Sequence, residues 1–338
     1  MRILLALVAL VSALWGGYWF VGSRALIHKV DAAQARAQAA GLAARFQAEV
    51  TGFPNRFDLT LNDLTLQDPA SGVGWQAPFF QLFALSYQPH KMIAVWPHRQ
   101  VVTTGVQEIT VTSDDMRASF AVRAAAALPL DRVIFVAGNL TLAAGSQGAT
   151  LRDLRLALRA VDDQPNTYDL GAEITGLRPD PAYLAPILAR LPANQPLPDT
   201  IDTLHLEGLL GLDRPLDRFA AQDAARNRAL PEPRSLRVRN ARLIWGDLDV
   251  TATGTLAVGP DGLLSGRIEM RATGWQVLVP LATAAGLIRP EIAPTYANAL
   301  QVLADLSPPL DQVEVPLTLA DGQMRLGPLP LGPAPRLR

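Results

Sequence analysis

Four histidines, His28, His90, His98 and His205, are the side chains of this 338-residue chain whose ordinary pKa suits proton transfer or metal ligation near neutrality. No two of them fall in an H-E-x-x-H frame or another spacing that would set a pair of imidazoles on one face. His90 and His98 flank a short apolar stretch ending at Pro97, so they could share a ligand only through a fold-back. The chain has no cysteine, which removes disulfides, thiolate metal sites and a cysteine nucleophile. No G-x-S-x-G elbow occurs. Gly72-Val73-Gly74 and Gly145-Ser146-Gln147-Gly148 lack the lysine and the strand-to-helix setting of a phosphate-binding loop, and read as turns. The acidic pairs Asp114-Asp115 and Asp162-Asp163 lie in turn-like stretches. Two carboxylates can hydrolyse a glycoside once a fold brings them within about 5–10 Å, whatever their separation in sequence, but solvated turn acids are the plainer reading. Arg152, Arg155 and Arg159 interleave with Leu154, Leu156 and Leu158, as on a sheet with one polar face. No catalytic constellation emerges, and neither a cofactor nor a metal is implied.

Composition points the same way. The 30 basic and 31 acidic residues give a net charge of −1, so there is no basic field for nucleic acid to follow. With 49% apolar and 18% charged residues the chain has ample material for a core.

The positioning elements begin with residues 3–21, ILLALVALVSALWGGYWFV, which carry no charge. Nineteen residues at helical rise reach about 28 Å, close to the hydrocarbon thickness of a bilayer. Trp15, Tyr18 and Trp19 cluster at one end, where interfacial aromatics gather. The segment reads as an uncleaved single-pass signal anchor spanning residues 1–23; the alternative is a leader cleaved after residue 23, although the site follows bulky aromatics. Residues 24–50 read as an amphipathic helix, with Leu42, Phe46 and Val50 at four-residue spacing. It would serve as a stalk of about 40 Å or pack on the following domain.

From residue 51 to the end, period-two alternation dominates. It predicts strands at 57–66, 79–87, 91–96, 100–111, 116–123, 132–142, 150–159 and 167–175, and again beyond residue 200. Gly246-Asp247 and Gly259-Pro260-Asp261-Gly262 are hairpin punctuation. Apolar stretches at 179–191, 275–287 and 291–306 read as helices, and 212–235 as a helical excursion and linker. The tail after Gly327 reads as extended. The fold class is therefore β-rich α+β: one or more large, curved antiparallel sheets with a few covering helices, preceded by the transmembrane and amphipathic helices. A faint repeat suggests two similar halves, 51–211 and 232–328. In each, a strand ending in glycine (Gly176, Gly274) leads through a helix to an Asp-plus-alternating strand, Ile201–Leu206 and Leu310–Val315.

The opening membrane segment, the phrase Gly52-Phe53-Pro54-Asn55-Arg56-Phe57-Asp58-Leu59 and the closing Leu319-Ala320-Asp321-Gly322-Gln323-Met324-Arg325-Leu326-Gly327-Pro328 resemble the alphaproteobacterial family called domain of unknown function 2125. That family has no assigned activity, so the resemblance carries over no catalytic residue. Gly254-Thr255-Leu256-Ala257-Val258-Gly259-Pro260-Asp261-Gly262-Leu263-Leu264-Ser265-Gly266 is more loosely similar to the AsmA-like envelope proteins. Those are anchored by an N-terminal helix and build curved sheets with apolar concave faces. The resemblance implies an inner-membrane protein with its main domain in the periplasm, serving envelope maintenance and binding or conducting phospholipid. A groove would be lined by Leu243, Trp245, Val250, Leu256, Ile268 and Met270, whose facing depends on strand register. If the helices at 179–191 and 275–306 cover that face, the protein is instead a tethered scaffold or partner-binding module. An anchored hydrolase is the remaining, lesser reading.

Overall fold

A computed structural model describes residues 1–225, 229–305 and 311–337. Leu310, the end of the 291–306 stretch and residues 226–228 of the expected linker lie outside them. The described residues form 17 strands and five α-helices, and the strand pairs among them are antiparallel. Alternating sequence with short turns favours antiparallel hairpin pairing, and the helix-bearing connections also return to pair antiparallel. Two compact units are present. One comprises 1–124 and 133–146, the other 125–132 and 147–338.

In the first unit, helix α1 (Arg2–Ala39) is followed by β1 (Ala43–Thr51), β2 (Arg56–Gln67), β3 (Val73–Leu85) and β4 (Gln88–Val95). Then come β5 (Arg99–Thr104), β6 (Glu108–Thr112), β7 (Asp115–Val122) and β8 (Leu130–Ala144). Strands β1 to β4 form a meander; β3 is long enough to pair β4 through residues 81–85 and β5 through residues 73–76. The expected strand at 100–111 is two strands, because Gly105 turns the chain at φ 81°.

The expected helix over 24–50 needs correction. Anchor and amphipathic segment are one 38-residue helix that stops at Ala39, and Gly41 at φ 89° redirects the chain. Residues 43–51 are strand β1, with Val50 opposite Leu59 and Ala48 opposite Leu61. Leu42, Phe46 and Val50 misled because a four-residue spacing keeps residues on one face of a strand as well as of a helix. The full run Ala44, Phe46, Ala48, Val50 alternates inward, as a strand requires.

In the second unit, β9 (Gln147–Ala160), β10 (Thr167–Leu177), α2 (Pro181–Leu188), β11 (Ile201–Leu212) and α3 (Arg218–Ala225) come first. They are followed by β12 (Pro233–Trp245), β13 (Leu248–Val258), β14 (Leu264–Thr273), α4 (Leu278–Ala284) and α5 (Ala293–Asp305). The chain closes with β15 (Gln312–Ala320), β16 (Gln323–Leu326) and β17 (Leu329–Pro333), so the proline-rich tail contributes a final strand. All nine strands from β9 to β17 pair in chain order. The Gly246-Asp247 turn joins Trp245 to its partner Leu248, with Gly246 at φ 57°. Both repeat-like segments leave their strand through a left-handed glycine, Gly176 at φ 60° and Gly274 at φ 65°. Each then runs through helix and returns as a strand paired to the one it left.

Candidate functional site

Because successive side chains alternate across a sheet, the pairing register of the second unit decides which residues share a face. Reading across β9 to β15, one row is Leu154, Ile174, Leu204, Leu243, Val250, Ala272 and Val313. The next is Leu156, Ala172, Leu206, Ala241, Ala252, Met270 and Val315. Two further rows contain Leu170, Val238, Ile268 and Leu317, then Leu210, Leu236, Leu256 and Leu319. One face of the sheet is thus apolar over at least seven strands.

The opposite face is charged. Arg159 and Asp169 meet at 2.7 Å, Arg239 reaches the same carboxylate at 2.9 Å, and Arg242 pairs with Asp249 at 2.6 Å. Arg271 reaches Glu314 at 2.5 Å. The hydrogen bond from Arg159, helped by Arg239 and opposed by burial, holds the Asp169 carboxyl below the usual carboxylate range. Asp249 likewise raises the Arg242 guanidinium.

Helices cover only part of the apolar face. α5 offers Tyr296, Leu300 and Ala304, four residues apart and all buried, and joins Ala272, Trp275, Val279, Val313 and Leu329 in one core. Tyr296 Oη donates to the Pro330 carbonyl, tying α5 to β17. α2 starts at Asp180, whose side chain accepts from the Ala182 and Gly148 amides at 2.7 Å each, with Pro181 at the first helical position. It leans toward α4, and Arg190 just beyond it donates to the Ala284 carbonyl at 3.2 Å.

Between α4, α5 and strands β14 to β17 lies a cavity of about 370 Å³, lined by residues that include Met270, Leu278, Ala282, Leu300, Val315 and Met324. That volume lies at the lower end of small-molecule sites. Beside it, the face over β10 to β13 forms an open depression lined by Ala172, Ile174, Leu204, Leu206, Ala241, Leu243, Val250 and Ala252. The two adjoin in register, since Val250 pairs with Ala272 and Ala252 with Met270.

The six expected groove residues all belong to this apolar face, but in different settings. Leu243 and Val250 line the open depression, and Met270 lines the cavity. Trp245 is buried, with its indole Nε1 donating to the Pro198 carbonyl at 2.8 Å, so it anchors the 192–200 segment. Ile268 is buried in the sheet and Leu256 is half-buried at the neighbouring row. Ile174, Leu204 and Leu206 of β10 and β11 lie outside the expected set: alternation marks their strands, but the pairing that brings them beside Leu243 is non-local. The helices α4 and α5 roof a cavity as well as covering the face.

Of the described histidines and acidic pairs, only His98 and Asp114 meet, with Nδ1 3.8 Å from the carboxylate, and both are exposed. His98 Nδ1 also lies 2.7 Å from the Ser113 carbonyl, and His205 Nε2 lies 3.5 Å from Glu207. Asp114 accepts from Asn139 at 2.7 Å and Asp115 pairs with Arg117 at 3.2 Å. Among the described residues no three His, Asp or Glu side chains group as metal ligands.

Fold and site together define a class: a large antiparallel sheet with one apolar face, preceded by a helix that, alone among the described residues, is long and apolar enough to cross a membrane. The chain belongs to the family described as an uncharacterized protein conserved in bacteria (DUF2125), whose model matches residues 19–335. No curated protein and no solved structure matched it.

Proposed function

We propose that this protein is a single-pass envelope protein that binds the acyl chains of phospholipid along the apolar face of its second unit. The observation that carries the reading is the apolar face itself, closed into a cavity at one end and left half-exposed at the other. Each methylene moved from water onto such a surface is stabilised by about 0.8 kcal/mol, so a short stretch of chain supplies useful affinity without any nucleophile. Helix α1 would hold the face near its lipid source, in the inner membrane with both units in the periplasm. The resemblance of the Gly254–Gly266 hairpin to AsmA-like envelope proteins and the alphaproteobacterial character of the family phrase support this placement. The protein works as a binding or conducting surface in envelope maintenance, and is not an enzyme.

The test uses the full chain in detergent with a palmitate carrying a photoactivatable diazirine. Adducts mapped to β10–β13 and to the cavity residues Met270 and Leu278 are expected. Adducts confined to α1 would sink the reading and favour a tethered scaffold, because any detergent-solubilised anchor binds acyl chains there.

A further inference from the structure

Helix α1 does not stand free of the first unit. Three aromatic side chains on one of its faces donate to backbone carbonyls of two loops: Trp15 Nε1 to Pro54 at 3.0 Å, Tyr18 Oη to Ser86 at 2.8 Å and Trp19 Nε1 to Arg56 at 2.6 Å. Phe57 stacks on Trp19 with ring centroids 6.1 Å apart, and Phe53 meets Trp19 edge-on at 5.4 Å. Two helix glycines make room. A Cβ on Gly22 would come within 2.7 Å of the Phe57 ring, and one on Gly16 would touch Phe53 at 3.8 Å.

The consequence is a matter of length. Residues 3–14, the part of the apolar helix below these contacts, span only about 18 Å against a hydrocarbon core of about 30 Å. The remaining apolar length runs alongside the loops: Phe20 and Val21 are exposed, and the first cation after the span is Arg24, whose guanidinium lies 4.3 Å from the Phe20 ring centroid. Exposed His28 and Lys29 follow on the same helix. If Arg24 marks the phosphate level, Gly16 and the Phe53 ring beside it lie roughly 12 Å deeper along the helix. Phe53 is 62% exposed and Tyr87, next to Ser86, is 58% exposed. A loop carbonyl in hydrocarbon costs several kcal/mol unless it is bonded, and those of Pro54, Ser86 and Arg56 each receive an aromatic donor. On the same segment Asn55 and Arg56 are exposed, and the Arg56 guanidinium pairs with Asp58 at 2.7 Å.

We infer that the loops 52–57 and 85–88 form a foot inserted into the bilayer, with the Phe53 and Tyr87 rings among acyl chains and glycerol groups. The lipid surface thereby holds the first unit upright on its anchor, in place of a free stalk. The inference rests on the anchor reading of α1, and concerns a surface that reading does not require.

The absence of native cysteine makes the test direct. Single variants Val8→Cys, Phe53→Cys, Tyr87→Cys and Val106→Cys of the full chain carry a nitroxide and are reconstituted into vesicles of phosphatidylethanolamine and phosphatidylglycerol (about 3:1). Collision rates with oxygen and with a water-soluble nickel chelate are then compared. Labels at 53 and 87 should give oxygen-to-nickel ratios several-fold above that at 106, which is 94% exposed on the same unit, and close to that at 8. Ratios at 53 and 87 equal to that at 106, with the label at 8 in lipid, overturn the foot alone. A label at 8 that is also in water overturns the anchor and the foot together. Gly22→Leu, which drives a side chain into Phe57, should return the Tyr87→Cys label to water while leaving the label at 8 in lipid. A Tyr87→Cys label that stays in lipid in that variant would overturn the clamp.

Discussion

The two ends of the apolar face in the second unit start from the same sequence logic and finish differently. Over β14 and β15, Ala272, Val313 and Val315 of the first two rows are buried, Ala272 and Val313 in the core with α5. In the same rows over β9 to β12, Leu154, Ile174, Leu204, Leu206 and Leu243 are only half-buried, and Leu156 is 41% exposed. Strand chemistry does not distinguish the ends; both alternate aliphatic and charged residues. The difference lies in the connections. β14 and β15 are joined through a 3₁₀ turn, α4 and α5, which pack on these strands, whereas α2, between β10 and β11, leans on α4 instead, and β12 and β13 are joined by the two residues of the Gly246-Asp247 turn. An apolar face becomes core where a connecting helix lies across it and remains a surface where none does. Exposed contiguous apolar area of that kind marks an interaction site.

The strongest way to break the comparison is to put the same charge at both ends of one row. Val313→Asp, at a fully buried position, should cost about 4 kcal/mol or more, since an unpaired carboxylate has no water and no partner there. Leu204→Asp should cost less than about 2 kcal/mol, because the open end lets the carboxylate reach solvent. Urea unfolding of the full chain, followed by tryptophan fluorescence, reads both. Equal costs would mean that the open end is covered in solution and that the distinction is void. Leu300→Ala, in the roof itself and 2% exposed, should cost about 2–5 kcal/mol through lost burial and the cavity it leaves. It should also enlarge the cavity between α4 and α5.

Much of this was legible in the residues, and what was not has a physical cause. The hairpin around Trp245 was legible from its Gly246-Asp247 turn, but the side that Leu243 and Val250 face is fixed only by the pairing observed. The α5 stripe of Tyr296, Leu300 and Ala304 was visible as a helix period. Which strands that stripe would cover was not, since landing position is set by tertiary packing. The β11–β12 register was hidden for two reasons: residues 213–232 separate the strands, and β12 skips Arg239, so that Glu207 pairs with Asn240 and Gly208 with Val238. The site was therefore half readable: Leu243, Val250 and Met270 by alternation, Ile174 and Leu206 only after pairing. The hydrogen bonds from α1 to Pro54, Arg56 and Ser86 join residues 37 to 68 positions apart, a range at which no local pattern speaks.

A sharper use of the open end is to ask whether its exposure serves binding. Leu243→Arg places a guanidinium beside Val250 in the depression, from which it can reach water along its aliphatic stem. Unfolding should shift little, while diazirine-palmitate labelling of the second unit falls about tenfold, equivalent to about 1.4 kcal/mol. Retained labelling would place the acyl site wholly within the roofed cavity.

The smallest expected effect concerns what holds the open strands together without a roof. On the back of β9, β10 and β12, Asp169 accepts from Arg159 and Arg239, a tie that crosses strands at the end lacking covering helices. The Arg159 hydrogen bond keeps the folded-state pKa of Asp169 below its unfolded value, so the carboxylate stabilises the fold. That contribution is complete above the ordinary aspartate pKa of about 3.9 and is lost as pH falls through the lowered folded value. Because the group is partly exposed and screened, it is worth under about 1 kcal/mol. Local opening reports it better than global unfolding does. Acidification from about pH 5 toward pH 3 should accelerate intrinsic-rate-corrected hydrogen exchange in β9 and β10 more than in β14 and β15. Asp169→Asn should remove that difference by making β9 and β10 faster already at neutral pH. If acid loosens the roofed strands as much as the open ones, the charged back face is not what secures the open end.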